Sequence, residues 1–208
     1  MRLSVAQIQN KSLSTRFYWL QWTMVTLIGF LFSLIWIEIG EPPDLQILQG
    51  MIGATIIGLL QALLLSRFFP HAWLWMLATL IPWGLMSGSQ FGVMGWFAPR
   101  SELIMVRLTT GLILGGMTGI WVGIWQWLVL KTILSKSYLW IIFSGISWAL
   151  GLSIGWIIGG VLRSMTHLFL GEVIGLAIAW LLVGIQTGIA LGYLLQSHPI
   201  LQQLKRKQ

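Results

Sequence analysis

The 208-residue chain has no cysteine, only five acidic residues, and charged side chains at just 8% of its positions. The missing cysteines exclude disulfides, thiolate metal sites, cysteine-attached haem and a cysteine nucleophile. The shortage of charge is more consequential. Soluble domains carry about 25% charged residues, and a chain this far below cannot cover a water-facing surface. Histidine is scarce too: His71, His167 and His198 are scattered, without the i, i+4 partner or carboxylate spacing of a metal site. No P-loop or dinucleotide fingerprint is present, and the serines lack a nucleophile-elbow context. The chain is therefore expected to be no enzyme, with no catalytic residue, no metal and no cofactor.

What the chain has in abundance is apolar sequence, at 57% of positions. A helix needs roughly 20 such residues to cross a bilayer core. Six runs qualify, at about 18–39, 45–66, 72–96, 103–130, 138–162 and 168–196. Pro42-Pro43 closes the first, the second stops before Arg67 and Pro70, and Pro82 lies inside the third, where it removes a backbone hydrogen bond. The runs are too long and too uniform for barrel strands. The first is of spanning length and lacks a cleavage site, so it reads as a retained helix and not a signal peptide. The expected fold is an all-α membrane protein of six transmembrane helices.

The net charge of +7 would suggest nucleic acid in a soluble protein, but here the basic residues sit at the chain ends and in short loops. There they set orientation, and no nucleic-acid partner is implied. Arg2, Lys11, Arg16, Arg67, Lys131, Lys136, Lys205, Arg206 and Lys207 fall on one side; Arg100, Arg107 and Arg163 fall on the other, with Glu38, Glu41 and Asp44. Both termini are thus predicted cytoplasmic, with an N-terminal segment over 1–17, a six-helix domain over 18–196 and a basic tail over 197–208. Trp19, Trp22, Trp73, Trp75, Trp125, Trp127 and Trp140 near one set of helix ends, and Trp36 and Trp96 near the other, read as headgroup belts. Trp83, Trp121, Trp148 and Trp180 lie deeper, where they either pack or line a pocket for a pigment, quinone or lipid.

Sliding the chain by 65 residues lays Gly50, Gly58, Gln61, Leu63, Leu65, Trp75, Ile81 and Trp83 on Gly115, Gly123, Gln126, Leu128, Leu130, Trp140, Ile146 and Trp148. A shift of 69 lays Gly115, Thr118-Gly119-Ile120 and Gly123 on Gly184, Thr187-Gly188-Ile189 and Gly192. This predicts three helix hairpins, over about 18–66, 72–130 and 138–196, entering the membrane in the same direction. Gly50-Ala54-Gly58, Gly111-Gly115-Gly119-Gly123 and Gly184-Gly188-Gly192 form stripes of small residues at four-residue spacing, as do Gly84-Gly88-Gly92 and Gly151-Gly155-Gly159. Such stripes allow close backbone approach in a tight bundle, and they also serve between subunits or along a narrow conduit.

Two groups of polar residues are candidates for binding. Gln61 and Gln126 occupy the same place in two hairpins, suited to helix-to-helix hydrogen bonds or to a ligand. Arg107 and Glu172 lie a turn inside their helices, and ionisable groups there often mark function. With Glu102, Arg163 and His167 nearby in sequence they could form an ion-paired cluster; the alternative is mutual neutralisation near the interface.

The stretch Gly119-xxx-Gly123-xx-Gln126-Trp127-Leu128-Val129-Leu130-Lys131, followed by Trp140 and Trp148, resembles repeats in multi-pass membrane proteins common in cyanobacteria. Thr187-Gly188-xx-Leu191-xx-Leu194-Leu195 is similar to their last helix; Lys131, where arginine is commoner, and Ser66 depart from the pattern. The resemblance implies the fold and a bacterial origin, and no activity. The functional expectation is a non-catalytic structural or assembly protein of the cell membrane, or of the thylakoid membrane in a cyanobacterium. Its partners would be lipid and itself or a larger complex. The alternative is a small-molecule or ion carrier or channel.

Overall fold

The computed structural model describes residues 17–39, 47–89 and 93–196. The expected terminal segments, and with them Arg2, Lys11, Arg16 and Lys205-Arg206-Lys207, lie outside the described residues, as do Glu41, Asp44, Gly92 and His198. Among the described residues there are six α-helices: α1 (Tyr18–Ser33), α2 (Ile47–Leu65), α3 (Trp73–Ser87), α4 (Ile104–Leu130), α5 (Leu139–Thr166) and α6 (Leu170–Gln196), with a 3-10 turn at Met94–Trp96. Among the described residues there is no strand. α2, α4, α5 and α6 are long and apolar enough to cross a membrane. Each helix packs on the next, and α6 returns to pack on α1, closing a ring.

The first and third helices are shorter than their apolar runs. α1 has 16 residues and α3 has 15, or about 24 and 22 Å at the rise of an α-helix. Beyond α3 the chain turns at Gly88 and Ser89, and Val93, Met94, Trp96 and Ala98 are buried outside any α-helix, in and around the 3-10 turn. This segment folds back against the bundle end. It is anchored by indole hydrogen bonds from Trp180 Nε1 to Gly95 O (2.9 Å), Trp156 Nε1 to Phe97 O (2.9 Å) and Trp96 Nε1 to Ser33 Oγ (2.9 Å). Irregular backbone at depth requires such protein partners, because its carbonyls cannot go unpaired.

The core is built on aromatic tiers. Trp22, Trp75 and Trp140, from the starts of α1, α3 and α5, form a triangle with ring centroids 5.5 to 6.4 Å apart. Two turns further along, Trp83 and Trp148 meet at 5.3 Å, and Trp148 meets Trp180 at 4.8 Å. Trp96 packs on Trp83 and Trp180, and Phe30 stacks on Trp180. Edge-to-face pairs of this kind contribute about 0.5–1.5 kcal/mol each beyond area burial. Trp22, Trp75, Trp140 and Trp96 are therefore core residues and not the belt residues expected, whereas Trp19, Trp36 and Trp73 do face outward. The outer faces of all six helices carry exposed apolar side chains, among them Phe32, Leu48, Leu85, Met105, Ile142 and Ile189.

Tyr18, at the edge of the first tier, packs edge-on against Phe68 with its hydroxyl buried and without a partner among the described residues. Removing a buried hydroxyl that makes no bond relieves a desolvation penalty. Tyr18→Phe is expected to leave stability unchanged or to raise it by about 1 kcal/mol, read as the unfolding midpoint in detergent. A loss of similar size would show that the hydroxyl is bonded.

Candidate functional site

Arg107 and Glu172 come together as a buried ion pair, each with 1% of its side chain exposed. Arg107 points from the first turn of α4 and Glu172 from the first turn of α6. The guanidinium grips the carboxylate at two points, Nη1 to Oε2 (2.9 Å) and Nη2 to Oε1 (2.6 Å). Its Nε donates to Ser101 O (2.6 Å), Nη1 also to Trp156 O (2.7 Å) and Nη2 also to Pro99 O (3.0 Å). A guanidinium has five N–H groups, and these contacts use all of them. Glycines make the room: a Cβ on Gly160 would fall 2.6 Å from Arg107 Cζ, and one on Gly159 would fall 2.8 Å from Glu172 Oε2. The pair thus ties α4, α5, α6 and the 99–101 segment together. Arg163 approaches Glu172 at 3.7 Å from a partly exposed position, while Glu102 and His167 are exposed. His167 ends α5 in the left-handed conformation, with φ 56°.

Gln61 and Gln126 each span two helices in the same way. Gln61 Oε1 accepts from Trp75 Nε1 (2.9 Å), and its Nε2 donates to Thr26 Oγ1 (2.9 Å). Gln126 Oε1 accepts from Trp140 Nε1 (3.0 Å), and its Nε2 donates to Thr79 Oγ1 (3.1 Å). α6 contributes differently: Thr187 Oγ1 accepts from Trp22 Nε1 (3.0 Å) and donates to Val183 O (2.6 Å). Every indole of the first tier is therefore hydrogen-bonded. The tryptophan partners lie 14 residues beyond each glutamine, across a turn, and the hydroxyl partners sit on the preceding odd-numbered helix. Neither relation follows from helical periodicity. Gln61→Leu or Gln126→Leu orphans one buried indole N–H and is expected to cost about 1–3 kcal/mol, measured by unfolding in detergent. A loss below 0.5 kcal/mol, on the order of noise for such a bond, would mean that water reaches the site.

The α4 glycine stripe lies against backbone. A Cβ on Gly115 or Gly119 would run into the carbonyl oxygens of Trp148 and Ser144 on α5, and one on Gly123 would lie 3.2 Å from Ile141 Cα. On α2, Gly50 faces Ser87 and Gly58 faces Met76 and Thr79 of α3. On α6, Gly184 faces Thr23 and Gly188 faces Trp19 of α1, and Gly192 has more room, with Tyr18 4.0 Å away.

An interior cavity of about 30 Å³ lies between the tryptophan tiers. Trp83, Trp148 and Trp180 do line it, but it is far below the roughly 300 Å³ at which small-molecule pockets begin. An outward-facing apolar groove of about 320 Å³ runs between α3 and α4 past Leu85, Met94, Met117 and Trp121. Among the described residues no cluster of His, Asp and Glu could hold a metal. No protein-family model, no curated protein and no solved structure matches this chain.

Proposed function

We propose that the chain is a six-span integral membrane protein, built from three like hairpins, that serves as a non-catalytic structural or assembly element of a bacterial membrane. The observation that carries this reading is the commitment of its polar groups to internal bonds. The Arg107 guanidinium spends all its donors within the bundle, and both glutamine amides clamp neighbouring helices. The outer surface is apolar and so suits lipid and the helices of a partner. Six spans with both termini cytoplasmic are the arrangement that the apolar runs and the loop charges support. The likeness to cyanobacterial multi-pass proteins supports a cell or thylakoid membrane.

Chemical cross-linking in native membranes, followed by purification in mild detergent, tests the role. The expected result is repeated recovery of the same membrane partner, or of a defined homo-oligomer. Recovery of the monomer alone would overturn the reading. Because the chain has no cysteine, Lys136→Cys and Arg100→Cys test the orientation with impermeant thiol reagents. Lys136→Cys should label only from the cytoplasmic side and Arg100→Cys only from the other. The alternative, a carrier or channel, rests on the polar cavity near the bundle centre and requires the tryptophan tiers to part.

A further inference from the structure

The side chains around the interior cavity are all buried and all uncharged. Its polar wall comprises Thr26, Gln61, Thr79, Gln126, Ser144 and Thr187. Thr26, Thr79 and Ser144 each stand four residues beyond a tryptophan of the first tier, at Trp22, Trp75 and Trp140. Gln61 serves the hydroxyl of Thr26, and Gln126 serves that of Thr79. Among the described side chains no glutamine serves Ser144. On the repeat reading proposed above, the third glutamine would fall 69 residues after Gln126, and that position is Leu195. The Ser144 residue is 1% exposed, and among the described residues its hydroxyl has no hydrogen-bond partner.

A buried hydroxyl without a partner is costly, and native proteins satisfy such groups with protein atoms or ordered water. A water needs roughly 10–15 Å³ and two to four polar neighbours, and the cavity offers about 30 Å³. A cation is a poor occupant, because no carboxylate lines the wall to offset its lost hydration. An apolar molecule would leave Ser144 unsatisfied, and a polyatomic solute would not fit. We propose that the cavity is a hydration site holding one or two water molecules that take the place of a third glutamine at Ser144. Ser144 and Thr26 donate to this water, and the second lone pairs of the glutamine carbonyls accept from it. The site goes beyond the structural role proposed above and can fail without it, since a dry cavity would leave the helix ties intact.

The test is a crystal structure of the full chain grown in a lipidic mesophase, at about 2 Å, where buried waters are visible. The expected result is a density peak within hydrogen-bond distance of Ser144 Oγ, roughly 2.6–3.2 Å. The peak should be unchanged when sodium is replaced by rubidium, and lost in Ser144→Val. An empty cavity in the wild-type protein overturns the proposal, as does a rubidium anomalous signal, which would make the site ionic. A peak that persists unmoved in Ser144→Val overturns the assignment to Ser144. If that variant does not fold, the wild-type and rubidium structures decide alone.

Discussion

Arg107→Met and Glu172→Leu are each expected to destabilise the fold by about 3–5 kcal/mol, while the double variant loses distinctly less than their sum. Either single change leaves one charge buried without its partner. With both groups gone, the remaining cost is that of the three carbonyls, at Pro99, Ser101 and Trp156, that Arg107 now serves. The coupling in a double-mutant cycle should therefore exceed about 2 kcal/mol, within the range found for residues in one network. Unfolding midpoints in detergent give all four values. Singles costing under about 1 kcal/mol would match a solvent-screened pair, and would make the carboxylate reachable by a ligand. The sequence marks the same pair as a binding candidate, and its bonds join three helices and a loop.

Gly115→Ala should be severe and Gly116→Ala harmless, although the two residues are neighbours on α4. A Cβ at Gly115 collides with the Trp148 carbonyl, which is helix backbone and cannot swing aside. Overpacking of this kind costs about 1–3 kcal/mol, or more where the obstacle is rigid. At Gly116 the nearest atom is Ala149 Cβ at 3.8 Å, an ordinary contact. There the alanine can gain up to about 1 kcal/mol of helix propensity. Gly119→Ala should resemble Gly115→Ala, since its Cβ meets the Ser144 carbonyl. Equal midpoints for Gly115→Ala and Gly116→Ala would refute the close approach of α4 and α5.

Each signal in the sequence encodes a different part of the structure. Four-residue glycine spacing marks a flat stripe, and the α4 stripe does face a neighbouring backbone. Spacing alone does not say which helix lies opposite. Apolar sequence continues past the end of α3, where the backbone leaves the α-helix at Gly88 and Ser89 although Val93, Met94 and Trp96 beyond are buried. Apolar content is blind to that difference. The tryptophans misled for a related reason. An indole near a helix end suits both the headgroup level and the core, and the choice depends on the face it occupies. Trp73 and Trp75 show the split, with 56% and 0% exposure two residues apart. Gln61 and Gln126 stood out because they recur, yet their partners are set by how the ring of helices closes. Sequence matching could not supply that.

The most direct test of a bundle closed by internal polar ties is the reactivity of a single thiol at its centre. The chain has no native cysteine, so Ser144→Cys reports on the cavity alone, and Lys136→Cys, exposed between α4 and α5, provides the control. In proteoliposomes a charged methanethiosulfonate reagent should modify Lys136→Cys readily and leave Ser144→Cys unmodified from either side. Rapid modification of Ser144→Cys in the folded protein would mean an open aqueous path between the tryptophan tiers, and a conduit in place of a scaffold.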